Sequence, residues 1–368
     1  MVRRAVLDAR AVNRATLARQ HLLSRTSRSV PEVVEDLVGL QAQAPFPPYY
    51  GLWSRVAGFV PDDLAARLLD RSLVRIVVMR GTIHLVTAAD CLLLRPWVQP
   101  VFDRWLTADK ERSAGLDGLD LAEVAAAGRS LLADRSMTSK ELGPALRKVF
   151  PDAPAGSLEF AIRNRVPVVQ IPPRALWGKA GQPTWALAED WIGRPLERSP
   201  SPDAIVLRYL AAYGPATVAD VQAWCGLTRL GEIVERLLPR LRVFTGRSGE
   251  TLYDVPDGPR PDPETPAPVR FLAEFDNILL SYADRTRIIS DEARKRVFTV
   301  NGLVRGTITV DGWVAGTWKI AKTRGAATLQ VEPFARLARR DVTALTSEGL
   351  RLLAFAAPSA EHDVRFLG

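Results

Sequence analysis

The chain has 368 residues, 47% hydrophobic and 24% charged, which is the composition of a soluble globular protein with room for two to four domains. No run of about 18 apolar residues exists, so nothing reads as a membrane span, and the opening MVRRAVLDARAVNR lacks the apolar core of a secretory signal. The net charge of +8 and pI near 9.8 favour a polyanionic partner, because neutralised phosphates release condensed counterions. Only seven of the 49 basic residues are lysine, a bias that a GC-rich genome also leaves.

Four segments follow one another along the chain. The first, 8–115, opens with helical patterning in AVNRATLARQHLL. A second helix spans 30–40: Ser29 and Glu32 have capping-box spacing, Pro31 suits the first turn, and Val33, Val34, Leu37 and Val38 make an apolar stripe. LVRIVVMRGTIHLVTAAD then reads as a β-hairpin turning near Arg80-Gly81. The same order recurs in 116–195, where two helices precede VVQIPPRALWGKAGQPTWALAEDW, two strands around a Gly-Lys-Ala-Gly turn. It recurs again in 200–256, with helices and then the hairpin RVFTGRSGETLYDV. Helices followed by a hairpin form the winged-helix plan, so three tandem units are expected. After the proline-rich linker 256–268 comes a β-rich region, 268–368. Its hairpin, 305–320, turns at Asp311-Gly312, the strongest hairpin signal in the chain. The fold class is therefore α+β.

Cys91 and Cys225, with His21, His84 and His362, show neither metal-ligand spacing nor a disulfide framework. A cytoplasmic protein without metal or cofactor is the expectation. Walker and Rossmann glycine loops, the Gly-x-Ser-x-Gly elbow and the zinc-deaminase cysteines are all missing. That removes nucleotide-driven machines, dehydrogenases, serine hydrolases and zinc deaminases.

What remains is VGLQAQAPFPPYY, residues 38–50. In a helix, residues two apart point about 200° from one another, so Gln41 and Gln43 would not share a face. In an extended segment they would. Pro45 disfavours helix at Ala44 and Gly39 suits a helix end, so the chain is expected to unwind near Gln41. Spacing alone also fits a solvated helix terminus.

The glutamine pair, the proline run and LWSR, together with VMRGTIHLV, VVQIPPRALWGKAG and FLAEFDNILLSYADRTRII, resemble the AlkZ/YcaQ-type bacterial DNA glycosylases over roughly residues 10–360. The resemblance implies three winged-helix units in a C-shaped, basic concave arrangement. It also implies excision of N-alkylated purines, including those in interstrand crosslinks, from double-stranded DNA. The catalytic glutamines of that family match Gln41 and Gln43. Ala42 stands where the family carries a hydrophobic residue, and alanine is a small choice there. A monomer in the nucleoid of a bacterial cytoplasm follows from the same likeness, in general repair or in self-resistance to a genotoxin.

An alkylated purine is already cationic and leaves as a neutral base, so no strong general acid is required. A glutamine carbonyl can orient water, and amides do not titrate, so a flat pH profile is expected. Asp36, and Asp276 beside Asn277, are the candidate supporting residues. No lysine precedes Lys110, so a monofunctional hydrolase without lyase activity is expected. A base tied to the opposite strand cannot enter a closed pocket, which favours an open basic surface. Candidate DNA contacts are Arg75, Arg80 and His84 in the first hairpin, Lys179 in the second, and Lys319, Lys322 and Arg324 near the last. Trp53, Trp177 and Trp318 read as core anchors. A winged-helix regulator and a damage-binding protein that does not cut are the competing readings.

Overall fold

The computed structural model describes residues 5–367. Its strands, in chain order, are β1 (Val6–Leu7), β2 (Leu40–Gln41), β3 (Leu73–Val77), β4 (Ile83–Thr87), β5 (Met137–Thr138), β6 (Val168–Ile171), β7 (Thr184–Leu187), β8 (Arg242–Gly246), β9 (Thr251–Asp254), β10 (Arg270–Leu272), β11 (Thr307–Val310), β12 (Trp313–Thr323), β13 (Ala326–Pro333) and β14 (Glu361–Phe366). Three early helices matter for the site: α1 (Ala9–Arg19), α2 (Val30–Asp36) and α3 (Pro47–Trp53).

Helix α1 is capped by Asp8, which accepts from Ala11 N. It buries Val12, Ala15 and Leu17, as its pattern requires, and also Asn13, Arg14, Thr16 and Arg19. Most of those polar groups bond over long range, although Arg19 Nε has no partner among the described residues. Asn13 Nδ2 donates to Arg287 O and Gly312 O, and Arg19 forks onto Asp254 with bonds of 2.8 and 2.9 Å. The helix assigned to the first segment from sequence thus ties the third segment to the C-terminal hairpin.

The hairpins β3–β4 and β6–β7 do not stand apart. They pair edge to edge through Arg75↔Gln170 and Ile76↔Val169, giving a six-stranded sheet of order β2-β4-β3-β6-β7-β5. The sheet crosses the segment boundary at 115/116. Its physical cause is in the strands: all four residues of β6 and the first four of β3 are buried, so neither strand can serve as a solvated edge. One side of the sheet packs Val74, Ile76, Val86 and Val169 against Tyr209, Leu210 and Trp224. The other packs Leu40, Ala42 and Leu85 with Tyr49 and Leu52 of α3 and with Phe271 and Leu329 of the C-terminal region.

The hairpin β8–β9 pairs with β1 in a separate three-stranded sheet. The C-terminal region is a five-stranded sheet of order β10-β11-β12-β13-β14, covered by the helix Arg339–Ala356 through Leu345, Leu352 and Leu353. Asp311 and Gly312 turn its β11–β12 hairpin with φ of 46° and 86°, the backbone that an Asp-Gly pair tolerates.

Candidate active site

The helix expected over 30–40 stops sooner, at Asp36. Val38 and Gly39 both take positive φ, 50° and 94°, and swing the chain into β2. A side chain at Gly39 would collide with Val86 Cγ1, 2.8 Å from an added Cβ, so this turn needs glycine for space as well as conformation. Leu40 and Gln41 then pair with Leu85 and His84, and Ala42 N donates to Ile83 O at 2.7 Å. Because strand side chains alternate, Leu40 enters this core while Gln41 points to the opposite face; Ala42 is buried with Leu40, and Gln43 follows past the strand's end. Ala42 is fully buried, so a small hydrophobic residue fits there.

The two amides are held differently. Gln41 is 7% exposed, and its Oε1 accepts from Arg80 Nη2 at 2.8 Å. Gln43 is exposed, and its Oε1 accepts from Ile83 N at 3.2 Å. Each carbonyl retains a second lone pair. The backbone between them is clamped from two sides. Asn277 Nδ2 donates to Gly39 O at 2.7 Å and to Tyr213 Oη at 3.0 Å, while its Oδ1 accepts from Gln41 N at 3.4 Å. Arg75 donates to Ala42 O at 2.7 Å and to Gln170 Oε1 at 2.8 Å.

These contacts revise the first-hairpin residues expected on the surface. Arg75 is 1% exposed, with its guanidinium committed to the motif and to β6, so it presents nothing to a DNA backbone. Burial lowers its pKa to about 10, which still leaves it charged at neutral pH. His84 is 2% exposed, and burial, reinforced by the Arg80 cation, lowers its pKa to about 3. A neutral ring then donates from Nδ1 to Thr82 O at 2.9 Å and accepts at Nε2 from Arg80 Nη2 at 3.4 Å, a tautomer assigned from these neighbours. Arg80 is half-buried and also donates to Trp224 O at 2.6 Å. In sequence, basic side chains on a hairpin look alike whether they face water or core, so all three read as rim charge.

The two carboxylates considered as helpers are engaged elsewhere. Asp276 is buried and receives both guanidinium prongs of fully buried Arg55, at 2.7 and 2.9 Å. Asp36 sits between His21 and Arg28, at 3.2 and 3.3 Å, at the far end of α2. Asn277, the third of this group, does reach the motif. Tyr213, which anchors Asn277, had no signal in the sequence.

Among the described residues no group of three or more His, Cys, Asp or Glu could hold a metal, and no helix is long and apolar enough to cross a membrane. Cys91 and Cys225 are buried thiols whose pKa burial raises to about 12, so neither is a nucleophile at neutral pH.

Two cavities flank the motif. One, of about 310 Å³, is lined by Ala44, Phe46, Pro47 and Tyr50 together with Glu274, Trp318, Lys319 and Lys322. Folding thus brings two lysines beside the residues that follow Gln43, which no local spacing could reveal. Lys322 Nζ donates to Ala356 O at 2.8 Å. Lys179 and Arg324 are exposed in the β6–β7 and β12–β13 connections and are not part of this lining. Trp177 and Trp318 are half-buried in an aromatic cluster with Tyr50 and Phe355, and Trp53 is buried. The second cavity, also about 310 Å³, has Gln43 in its wall with Trp105, Arg112 and Arg163.

The chain is 26% identical over 358 residues to an interstrand DNA cross-link repair glycosylase of Streptomyces sahachiroi, covering 90% of this chain and 92% of that one. The solved structure of the Streptomyces sahachiroi DNA glycosylase AlkZ is similar with a TM-score of 0.80 at 23% identity, over 98% of this chain and 100% of that chain, which establishes the likeness of fold. The model of the DNA glycosylase AlkZ-like family matches residues 34–355, a span that includes both glutamines and their Arg80, His84 and Asn277 partners, and the chain belongs to that family.

Proposed function

We propose that the protein hydrolyses the N-glycosidic bond of N-alkylated purines in double-stranded DNA, interstrand crosslinks included, with Gln41 and Gln43 as its catalytic residues. The observation that carries this reading is the short strand β2. It carries Gln41, Gln43 follows two residues on, and Arg80 and Ile83 N donate to their carbonyl oxygens without any carboxylate or thiol among those contacts.

The chemistry follows from the substrate's charge. A purine alkylated at N7 or N3 departs as a neutral base, so the protein has to place a water at C1′ and stabilise an oxocarbenium-like sugar. The free lone pair on each glutamine carbonyl can accept from that water and put partial negative charge beside the cation. Arg80 fixes which end of the Gln41 amide faces which way. Asn277 and Arg75 hold the backbone, so the amides need not reorganise as the bond breaks.

We read the helical segments and their hairpins as three winged-helix units whose basic surfaces face the duplex, with Lys319 and Lys322 along the groove beside Ala44. An enzyme working at an open groove need not enclose the base, which suits a purine still joined to the other strand. The similarity to the cross-link repair glycosylase supports such a substrate.

The test is incubation with duplex containing N7-methylguanine, with released base and alkali-labile abasic sites measured together. Release of both in equal amounts supports the reading. Tight binding without release would make the protein a regulator or a damage-binding factor. Borohydride should trap no covalent adduct, since the hydrolytic route uses no amine; a trapped adduct would assign Lys319 or Lys322 a lyase role.

A further inference from the structure

Gln43 opens onto the second cavity, whose walls include Trp105, Arg112, Phe160, Arg163 and Trp185. Two of these side chains are in a state that folding alone does not explain. Trp105 is 38% exposed, a large aromatic left partly in water at the side of a candidate catalytic residue. Its ring lies over the turn that carries Arg80, so close that a Cβ on Gly81 would fall 2.6 Å from it. Arg163 is half-buried, and its Nε has no hydrogen-bond partner among the described residues. Glu159 acts on it only through space, with no ion pair between them, and Arg112 opposes it with like charge. Arg112 itself is exposed, leans over Phe160, 5.6 Å from the ring centre, and has half-buried Asp109 at 3.4 Å. Burial and the neighbouring Arg112 together pull the Arg163 guanidinium below its ordinary pKa.

Two guanidinium groups line one cavity, and among the described residues the Arg163 side chain makes no hydrogen bond or ion pair, an arrangement that calls for an anion arriving with the ligand. A DNA strand carries one at every nucleotide, and the planar fork of arginine matches a phosphodiester. We propose that Arg163, with Arg112 beside it, clamps a backbone phosphate of the damaged strand next to the nucleotide that Gln43 addresses, and that Trp105 packs against the adjoining sugar or base. The inference rests on the reading of Gln41 and Gln43 as the site of excision. It adds a grip on the damaged strand at a cavity separate from the lysine groove.

Binding to uncut duplex tests it without requiring catalysis. For Arg163→Gln and Arg112→Gln, the slope of log affinity against log salt between about 50 and 200 mM should fall by about 0.9 each, the value for one lost phosphate contact. Affinity should drop roughly tenfold, as for a lost charge-assisted hydrogen bond. Arg163→Lys should keep most of the slope, which separates a lost contact from a damaged fold. A scan of single neutral methylphosphonate linkages around N7-methylguanine should find one position that weakens wild type roughly tenfold and leaves Arg163→Gln unaffected. Unchanged slopes, or linkages that weaken both proteins alike at every position, would overturn the proposal. So would coupling of Arg163 to the purine O6 in place of a phosphate. Failure of excision with these couplings intact would count against the glycosylase reading alone.

Discussion

Arg80 joins two parts of the chain at the candidate active site: Nη2 donates to Gln41 Oε1 at 2.8 Å while Nη1 donates to Trp224 O at 2.6 Å. A glutamine amide is nearly symmetric in shape, so the side chain beside it decides which end carries the carbonyl. Arg80 makes that choice for Gln41, and its own position is set by the backbone of a distant segment.

Arg80 is accordingly a positioning residue. Arg80→Met should lower single-turnover excision on the order of 10²-fold, as expected when a reacting group shifts by about 1 Å. Duplex affinity should change far less than the rate. An arginine that merely touched phosphate would show the reverse, with the loss in Kd and in its salt slope.

The excision rate should stay flat from about pH 6 to 8.5, because neither amide titrates and buried His84, with a pKa of about 3, is neutral throughout. Stability behaves differently. The unfolded chain protonates His84 below its ordinary pKa near 6.5 while the folded chain does not, so stability is full above about 6.5 and declines as pH falls toward 3. The slope from this residue is at most about 1.4 kcal/mol per pH unit. Thermal melts of wild type and His84→Gln across pH 4–7 should show the variant less sensitive to acid. A bell-shaped rate profile with an apparent pKa of about 4–6 would implicate a carboxylate, and Glu274, in the lining of the lysine groove, would be the first to examine.

Asn277 supports the motif through its backbone. Asn277→Ala removes the donor to Gly39 O and the acceptor for Gln41 N, and leaves buried groups unsatisfied at a cost of about 1–3 kcal/mol. Excision should fall at least tenfold at a temperature where circular dichroism shows the variant fully folded.

Asp276 and Asp36 separate structure from catalysis. Asp276→Asn leaves Arg55 charged and unpaired in the interior, so urea unfolding should register a loss of about 3–5 kcal/mol. Asp36→Asn breaks only partly exposed contacts and should cost no more than about 1 kcal/mol with the excision rate unchanged.

How far the sequence foretold this site depends on range. Local signals were readable: the capping pair Ser29 and Glu32, whose Ser29 N donates to Glu32 Oε2 at 2.8 Å, the Asp311-Gly312 turn, and the extension of the chain at Gln41. The sequence predicts a helix end near Gln41, yet it falls at Asp36 because Val38 as well as Gly39 adopts positive φ, which valine rarely does. The sheet that unites residues 73–87 with 168–187 depends on Arg75 meeting Gln170, a pairing with no neighbour-to-neighbour signature. For the same reason Arg75 and His84 read as surface charge, and Arg112 and Arg163 passed as two arginines among many.

The most direct measurement is the single-turnover rate of base release from N7-methylguanine duplex by wild type, Gln41→Ala and Gln43→Ala, with binding checked on the same DNA. The account predicts that each variant still binds and that each loses at least about 10²-fold in rate, the scale of a lost transition-state hydrogen bond. Variants that release the base as fast as wild type would contradict it.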